Sequence, residues 1–230
     1  MKFAAVTPSY NDEDVISGTI KCLKPFVDKH IVLISERPYF GESAPPDRTE
    51  EICNDLGAEV IKGYWPLDHH QRNLGIKLCS DVDWIFTFDS DEMMEASEIE
   101  KFIKVMEKTD AKAFVCDPVI YWNTPDYRLV IGSGFQPVIA VRPNVGFAYI
   151  RNIDSPFQVT DCVMHHLSWS APKDIYKKVT NYAHATDFDG KKWYRDHYKD
   201  WKFGQKAVLS DGLEYDVVYN PLPDELRKHL

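Results

Sequence analysis

The sequence has no C-x-x-C pair, and its five cysteines, Cys22, Cys53, Cys79, Cys116 and Cys162, are odd in number and far apart. This spacing excludes a disulfide framework and a zinc knuckle, and it reads as reduced core thiols of a cytoplasmic protein. No apolar run approaches the about 20 residues that a transmembrane span needs. The opening MKFAAVTPSY is too short in apolar residues for a signal-peptide core. A basic stripe is also missing: 27 Lys and Arg are scattered among 36 Asp and Glu, for a net charge of −9. Nothing therefore supplies the field that follows a phosphate backbone, and nucleic acid is not an expected partner. There is no internal repeat and no low-complexity segment.

What is present is 230 residues with 44% apolar and 27% charged side chains, enough for one sizeable core. The first ninety or so residues alternate short apolar runs with amphipathic stretches, the pattern of a parallel sheet with helices on its faces. Strands are predicted at 2–7, 30–35, 58–62 and 84–88, with helices at 14–23, 47–56 and 68–79 between them. Leu74 and Leu78, four apart, mark one face of the third helix. Asp47 with Glu50, and Ser97 with Glu100, have the spacing of capping boxes, the second opening a helix to about Lys108. From Ala113 the pattern changes to short strand-like pieces at 113–116, 127–131, 138–141 and 146–150, so the second half is predicted to be mixed or antiparallel. A helix is predicted over 172–184, with Pro172 in its first turn. The expected organisation is an α/β domain over 1–170, divided into halves at 1–95 and 96–170, with a helical extension over 171–230.

Asp89-Ser90-Asp91 leaves the buried strand Trp84-Ile-Phe-Thr-Phe88, which places it at the carboxyl end of the sheet, where ligands bind in open α/β folds. Two carboxylates one residue apart can point at one place, and hard oxygen ligands suit Mn²⁺ or Mg²⁺. Such an ion would offset charge building on a leaving diphosphate. The exit of the first strand, Val6-Thr7-Pro8-Ser9-Tyr10-Asn11, offers the ring of Tyr10 for a base to stack on, with backbone groups near Thr7 and Pro8 at its edge. The same residues also read as an ordinary turn into a helix. Arg72 falls one turn into the third helix, where an anion would feel the helix dipole. His165 and His166 precede Leu167-Ser168-Trp169, and one of them is a plausible further ligand for the ion. Asp154 and Asp161 lie ahead of the histidines and are the preferred candidates for the base of an inverting transfer. The aromatic stretches 121–127 and 193–201 suit either core packing or stacking on a sugar.

The order of V-T-P-S-Y-N-D-E after the first strand, Asp47-Arg48-Thr49, Arg72-Asn73-Leu74-Gly75, and Asp83 to Glu92 resembles the GT-A glycosyltransferases of family 2. The resemblance covers roughly the first 95 residues. It implies a GT-A, Rossmann-like fold with a mostly parallel sheet flanked by helices, and a donor that is a nucleoside-diphosphate sugar of UDP or GDP type. Thr7, Pro8, Tyr10 and Asn11 would cradle the nucleotide, Arg72 would approach the pyrophosphate, and Asp89, Ser90 and Asp91 would take ribose and metal. The family's acidic turn after the second strand is replaced here by Ser35-Glu36-Arg37-Pro38, and Glu36 is the candidate for the base-reading carboxylate.

A shorter run, His166-Leu-Ser-Trp169 with Lys178 and His184, is similar to a pattern of the family that adds bisecting N-acetylglucosamine to mannose. It favours His166 over His165 as the metal ligand and implies that Lys178 and His184 face a phosphate. The expected activity is metal-dependent transfer of a sugar to a glycan, lipid-linked or small acceptor. Two other readings compete. A non-catalytic binding module would keep the fold without transfer. A nucleotidyltransferase needs a glycine-rich loop after the first strand, where this chain has no glycine until Gly18.

Overall fold

A computed structural model describes residues 1–132, 135–181 and 185–230. His184 lies outside the described residues.

The first half alternates as predicted: β1 (Phe3–Ser9), α1 (Ile16–Leu23), β2 (Lys29–Ser35), α2 (Thr49–Asp55), β3 (Glu59–Gly63), α3 (Asp68–Leu78) and β4 (Trp84–Phe86). Then follow β5 (Glu92–Met93), α4 (Ala96–Met106), β6 (Ala113–Cys116), β7 (Val119–Val130), β8 (Val138–Val141), β9 (Phe147–Tyr149), β10 (Asn152–Ile153), β11 (Phe157–Thr160) and β12 (His165–Ser170). The remainder holds α5 (Ile175–Asn181), α6 (Gly190–Trp193), a π-helical turn (Tyr194–Tyr198), β13 (Ala207–Val208), β14 (Glu214–Tyr219) and α7 (Asp224–Arg227).

A seven-stranded sheet runs in the order β11-β6-β8-β4-β1-β2-β3. β1 is parallel to both β2 and β4, and β2 to β3, while β8 is antiparallel to β4 and β6. The period of two along each strand divides the core. Phe3, Ala5, Trp84 and Phe86 pack with Ile99 and Phe102 of α4 on one face. Ala4, Val6, Ile31, Leu33 and Ile85 pack with Ile76 of α3 on the other. α3 approaches very closely at Gly75, where a Cβ would stand 2.3 Å from Val6 Cγ1 and 2.8 Å from Leu33 Cδ1. Only glycine permits that approach.

A second, five-stranded sheet runs in the order β13-β14-β7-β12-β5 and draws strands from both halves and from the segment after 170. The segment after 170, expected to be helical, also contributes strands: β14 lies antiparallel to β7, with Tyr219 opposite Tyr127. Trp122, Trp169, Trp193 and Tyr198 pack against one another beneath it, so much of the aromatic content of 121–127 and 193–201 is core.

Local details depart from the sequence reading. The buried face of α3 is Asp68, Gln71, Arg72, Gly75 and Ile76, while Leu78 is exposed, because this helix points polar side chains into a cleft. Neither capping box forms. Asp47 Oδ1 accepts from Thr49 N at 2.9 Å, but Glu50 turns to Lys62 at 2.7 Å instead of reaching back. The helix expected to be capped by Ser97 begins one residue earlier, and its Ala96 N–H donates to Glu225 at 3.0 Å. Pro172 lies three residues ahead of α5 rather than in its first turn.

Candidate active site

The acidic turn is pinned from below. Thr19 of α1, fully buried, donates from its hydroxyl toward the carbonyls of Asp89, Ser90 and Glu92 at 3.1, 2.8 and 2.7 Å. Asp89 N donates to Glu92 Oε2 at 2.8 Å, closing the turn on itself. β5, the two residues that follow, pairs antiparallel with β12, so that His166 stands opposite Glu92 and His165 opposite Met93. Leu167 N also donates to Asp91 O at 2.9 Å. This ladder brings the histidine segment to the turn and selects which ring arrives. His166 Nε2 stands 3.2 Å from Asp91 Oδ1, whereas His165 faces the other way, Nδ1 bonded to the Tyr121 hydroxyl at 2.9 Å. Burial pushes the His165 pKa down to about 4.

Turn and ladder form the floor of a cavity of about 1010 Å³. Of the predicted residues, Pro8, Tyr10, Asn11, Arg72, Asp89, Ser90, Asp91, His166 and Lys178 line it. Asn11 adopts the left-handed φ of 51°, its amide holding Pro45 O at 3.0 Å. The structure corrects four predictions. Thr7 is buried in β1, its hydroxyl 3.0 Å from His30 Nε2, and is not part of the wall. Glu36 is exposed to solvent outside the cavity, where its neighbours Ser35 and Arg37 take part instead. Asp161 has a side chain 82% exposed and pairs with Lys101 of α4 at 3.2 Å. Asp154 is likewise exposed and outside the cleft. A carboxylate beyond reach of the cavity cannot take a proton from an acceptor held there.

Four basic side chains face the acidic turn. Arg72 is bidentate to Asp68, at 2.7 and 3.1 Å, and reaches Asp89 Oδ1. Arg151 holds Asp89 Oδ2 at 3.0 Å and also Glu92, and is itself fixed by the carbonyls of Thr87 and Val138. Lys173 donates to Asp91 Oδ2 at 2.8 Å and lies 3.5 Å from Asp12. Lys178 donates to Ser168 O at 2.7 Å and lies 4.0 Å from Asp91. Burial alone would raise the carboxyl pKa values, but Arg151 and Arg72 outweigh it and hold Asp89 at about 2. Lys173 and His166 likewise hold Asp91 well below the usual carboxylate range. For Lys178 burial wins over the attraction of Asp91 and lowers its pKa to about 8.

Arg151 and Lys173 were missed by the sequence reading. Arg151 follows the short strand-like piece 146–150 but belongs to no motif. Lys173 sits beside Pro172 and resembles any solvated lysine ahead of a helix.

The donor set fits a divalent cation. Among the described residues, the ligand atoms of Asp89, Glu92 and His166 lie within 4.8 Å of one another. His166 Nδ1 and Arg72 Nη1 are buried without a hydrogen-bond partner. Glu92 is committed elsewhere, with one oxygen on Asp89 N and the other on Arg151. Asp91, beside His166, is the more available carboxylate, since a flexible lysine stem rather than a fixed fork holds it.

Among the described residues no helix is long and apolar enough to cross a membrane. No curated protein matches the sequence. Several solved structures are similar in shape. S. aureus TarS in complex with UDP-GlcNAc aligns with a TM-score of 0.54 at 13% identity, over 76% of this chain and 60% of that one. Glucosyl-3-phosphoglycerate synthase from Mycobacterium tuberculosis, in complex with Mn²⁺, UDP and phosphoglyceric acid, aligns at 0.53 and 15% identity, over 96% and 87%. A mycobacterial protein aligns at 0.52 and 14% identity, over 96% and 84%. At such identities the likeness establishes the GT-A fold. The chain spans only 38% of the longer TarS chain. The profile described as "Glycosyl transferase family 2" matches residues 4–169, which take in β1, the acidic turn and His166 together. The chain belongs to glycosyl transferase family 2.

Proposed function

We propose that the protein transfers a sugar from a nucleoside-diphosphate sugar to a carbohydrate, lipid-linked or small acceptor, with Mn²⁺ or Mg²⁺ bound by Asp91 and His166. The observation that carries this reading is the meeting of Asp91 and His166 at 3.2 Å on the floor of the cleft, with Asp89 and Arg72 beside them. The ion would supply Lewis-acid stabilisation of the leaving diphosphate. The chain's own residues do the rest. Pro8, Tyr10 and Asn11 shape the wall where the nucleoside would lie. Arg72, kept charged by Asp68 and Asp89 in spite of burial, has Nη1 without a partner and is placed for a diphosphate oxygen. UDP, bound in the mycobacterial synthase complex and part of the UDP-GlcNAc in the TarS complex, is the first nucleotide to try.

Inverting transfer needs a carboxylate at the acceptor hydroxyl. With Asp154 and Asp161 outside the cleft, the role passes to the carboxylates that line its C-terminal side. Asp174 caps Lys177 N at 3.0 Å, and Asp211 is held in its turn by Leu213 N at 2.8 Å and the Tyr215 hydroxyl at 3.2 Å. Asp174, Asp187 and Asp211 are therefore the candidates for the base. Lys178, with its lowered pKa and its place 4.0 Å from Asp91, is the candidate for a phosphate contact on this side.

Calorimetry of UDP with and without Mn²⁺ tests the assignment. Asp91→Asn is expected to weaken Mn²⁺-dependent binding by about 100-fold, in the range of losses seen when metal sites are impaired. Unchanged affinity would show that the ion, if used, sits elsewhere. Of Asp174→Asn, Asp187→Asn and Asp211→Asn, one is expected to abolish transfer while leaving UDP binding intact. Transfer at the parent rate in all three would place the base elsewhere.

A further inference from the structure

Both oxygens of Asp91 are engaged by groups of the protein itself. Oδ1 faces His166 Nε2 at 3.2 Å and Oδ2 accepts from Lys173 Nζ at 2.8 Å. Asp91 is only 2% exposed, so a lone carboxylate there would be costly and a cation beside it is required. The four basic groups near the turn are not equivalent in this respect. Arg72 is locked bidentately to Asp68, and Arg151 is tied to two backbone carbonyls. Lys178 is anchored on Ser168. The Lys173 ammonium lies between two acids, Asp91 and Asp12, on a four-carbon stem that can swing. Asp12 is itself fixed, by the Ser9 hydroxyl at 2.9 Å and Tyr10 N at 3.0 Å, so the lysine is the movable member.

A divalent ion on Asp91 would stand within a few ångströms of that ammonium, and like charges so close in a buried site repel strongly. One of the two must leave. We propose that Lys173 is the resident counter-cation of Asp91: a divalent ion displaces it, and the diphosphate that arrives with the ion receives it. The inference rests on the metal site described above. Its consequence is that ion and nucleotide each bind weakly alone and tightly together, a coupling that is reciprocal by thermodynamic necessity. Lys173 is thus a positioning residue that makes the site answer to the ion and nucleotide together rather than to the free ion.

Three variants, each checked for folding by circular dichroism, test this by electron paramagnetic resonance of Mn²⁺ and calorimetry of UDP. Lys173→Met is expected to bind Mn²⁺ alone about tenfold more tightly than the parent, yet to bind UDP more weakly in saturating Mn²⁺. Lys173→Arg, which keeps the cation, stays near the parent in Mn²⁺ affinity. A residue with a merely structural role would weaken both ligands in the methionine variant, and that result overturns the proposal. Equal Mn²⁺ affinity in the parent and Lys173→Met, lost in Asp91→Asn, overturns the role of Lys173 and leaves the metal site standing. Absence of Mn²⁺ binding in the parent, with UDP and without it, overturns both.

Discussion

On the wall formed by β1, β4 and α3, each functional side chain sits at the end of its own strand or in the first turns of its own helix. On the opposite wall His166, Arg151 and Lys173 come from a strand, the turn of the β9–β10 hairpin and a loop, and reach the acidic turn through contacts with distant segments. The first wall is delivered by local structure and the second by long-range register. A register shift of one residue along β12 would present His165 in place of His166, because successive strand residues face opposite sides. The two walls should therefore respond differently to damage.

The largest effect is expected on the second wall. Arg151→Met leaves Glu92, fully buried, and Asp89 without their shared cation. Breaking a buried pair in this way costs about 3–5 kcal/mol, and urea unfolding should show it. Adding Glu92→Gln to the same chain should return part of the loss. If Arg151→Met cost no more than a surface substitution, the second wall would not be charge-locked.

Acid probes the first wall. His30 of β2 is buried and uncharged, its pKa lowered by burial to about 4 from an ordinary 6.5. Above the ordinary value both folded and unfolded chains are neutral here. Between the two values the unfolded chain binds a proton that the folded chain refuses, so stability falls as pH falls. The full loss, reached near pH 4, is about 3 kcal/mol. Its signature is an acid limb in the thermal midpoint that His30→Gln reduces but does not remove, since burial lowers His165 in the same way. The Thr7 hydroxyl, bound to the same ring, explains why Thr7 serves the sheet rather than the nucleotide.

Gly75→Ala is a smaller test of the first wall. Its Cβ would meet Val6 at 2.3 Å, and overpacking of this kind costs about 1–3 kcal/mol. Because α3 carries Arg72, the same variant should also weaken UDP binding, which calorimetry would read. An unchanged affinity with lowered stability would mean that the helix tilts without moving its first turns.

Least of all is expected from Asp161→Asn. An exposed pair with Lys101 is screened by solvent and adds little to stability, and transfer kinetics should match the parent. A large loss of kcat would bring Asp161 back to the cleft and break the division between the walls.

The same division explains what could be read in the sequence. Strand-and-helix alternation through β4 is written in short windows of hydrophobic period, and the acidic turn, Arg72 and Tyr10 follow from the elements that end or begin beside them. His166 was named from the sequence as a candidate beside the turn. Arg151 was not, since nothing near it in the chain announces that its partners are Asp89 and Glu92. Asp154 and Asp161 failed for the same reason, their nearness to the histidines in sequence giving no distance in space. The helical expectation after 170 was incomplete, because aromatic and charged composition does not distinguish a wrapping helix from a strand such as β14, whose pairing partner is β7.

The two-residue ladder between β5 and β12 has a bearing on synthesis. Residues on either side of it are roughly seventy positions apart, so closing it means ordering a long loop before any reward is gained. A nascent chain that has emerged only as far as β4 and its acidic turn can form much of the nucleotide wall, but it lacks the imidazole of the proposed ion site. On that proposal, ion capture would wait until β12 has been made and docked.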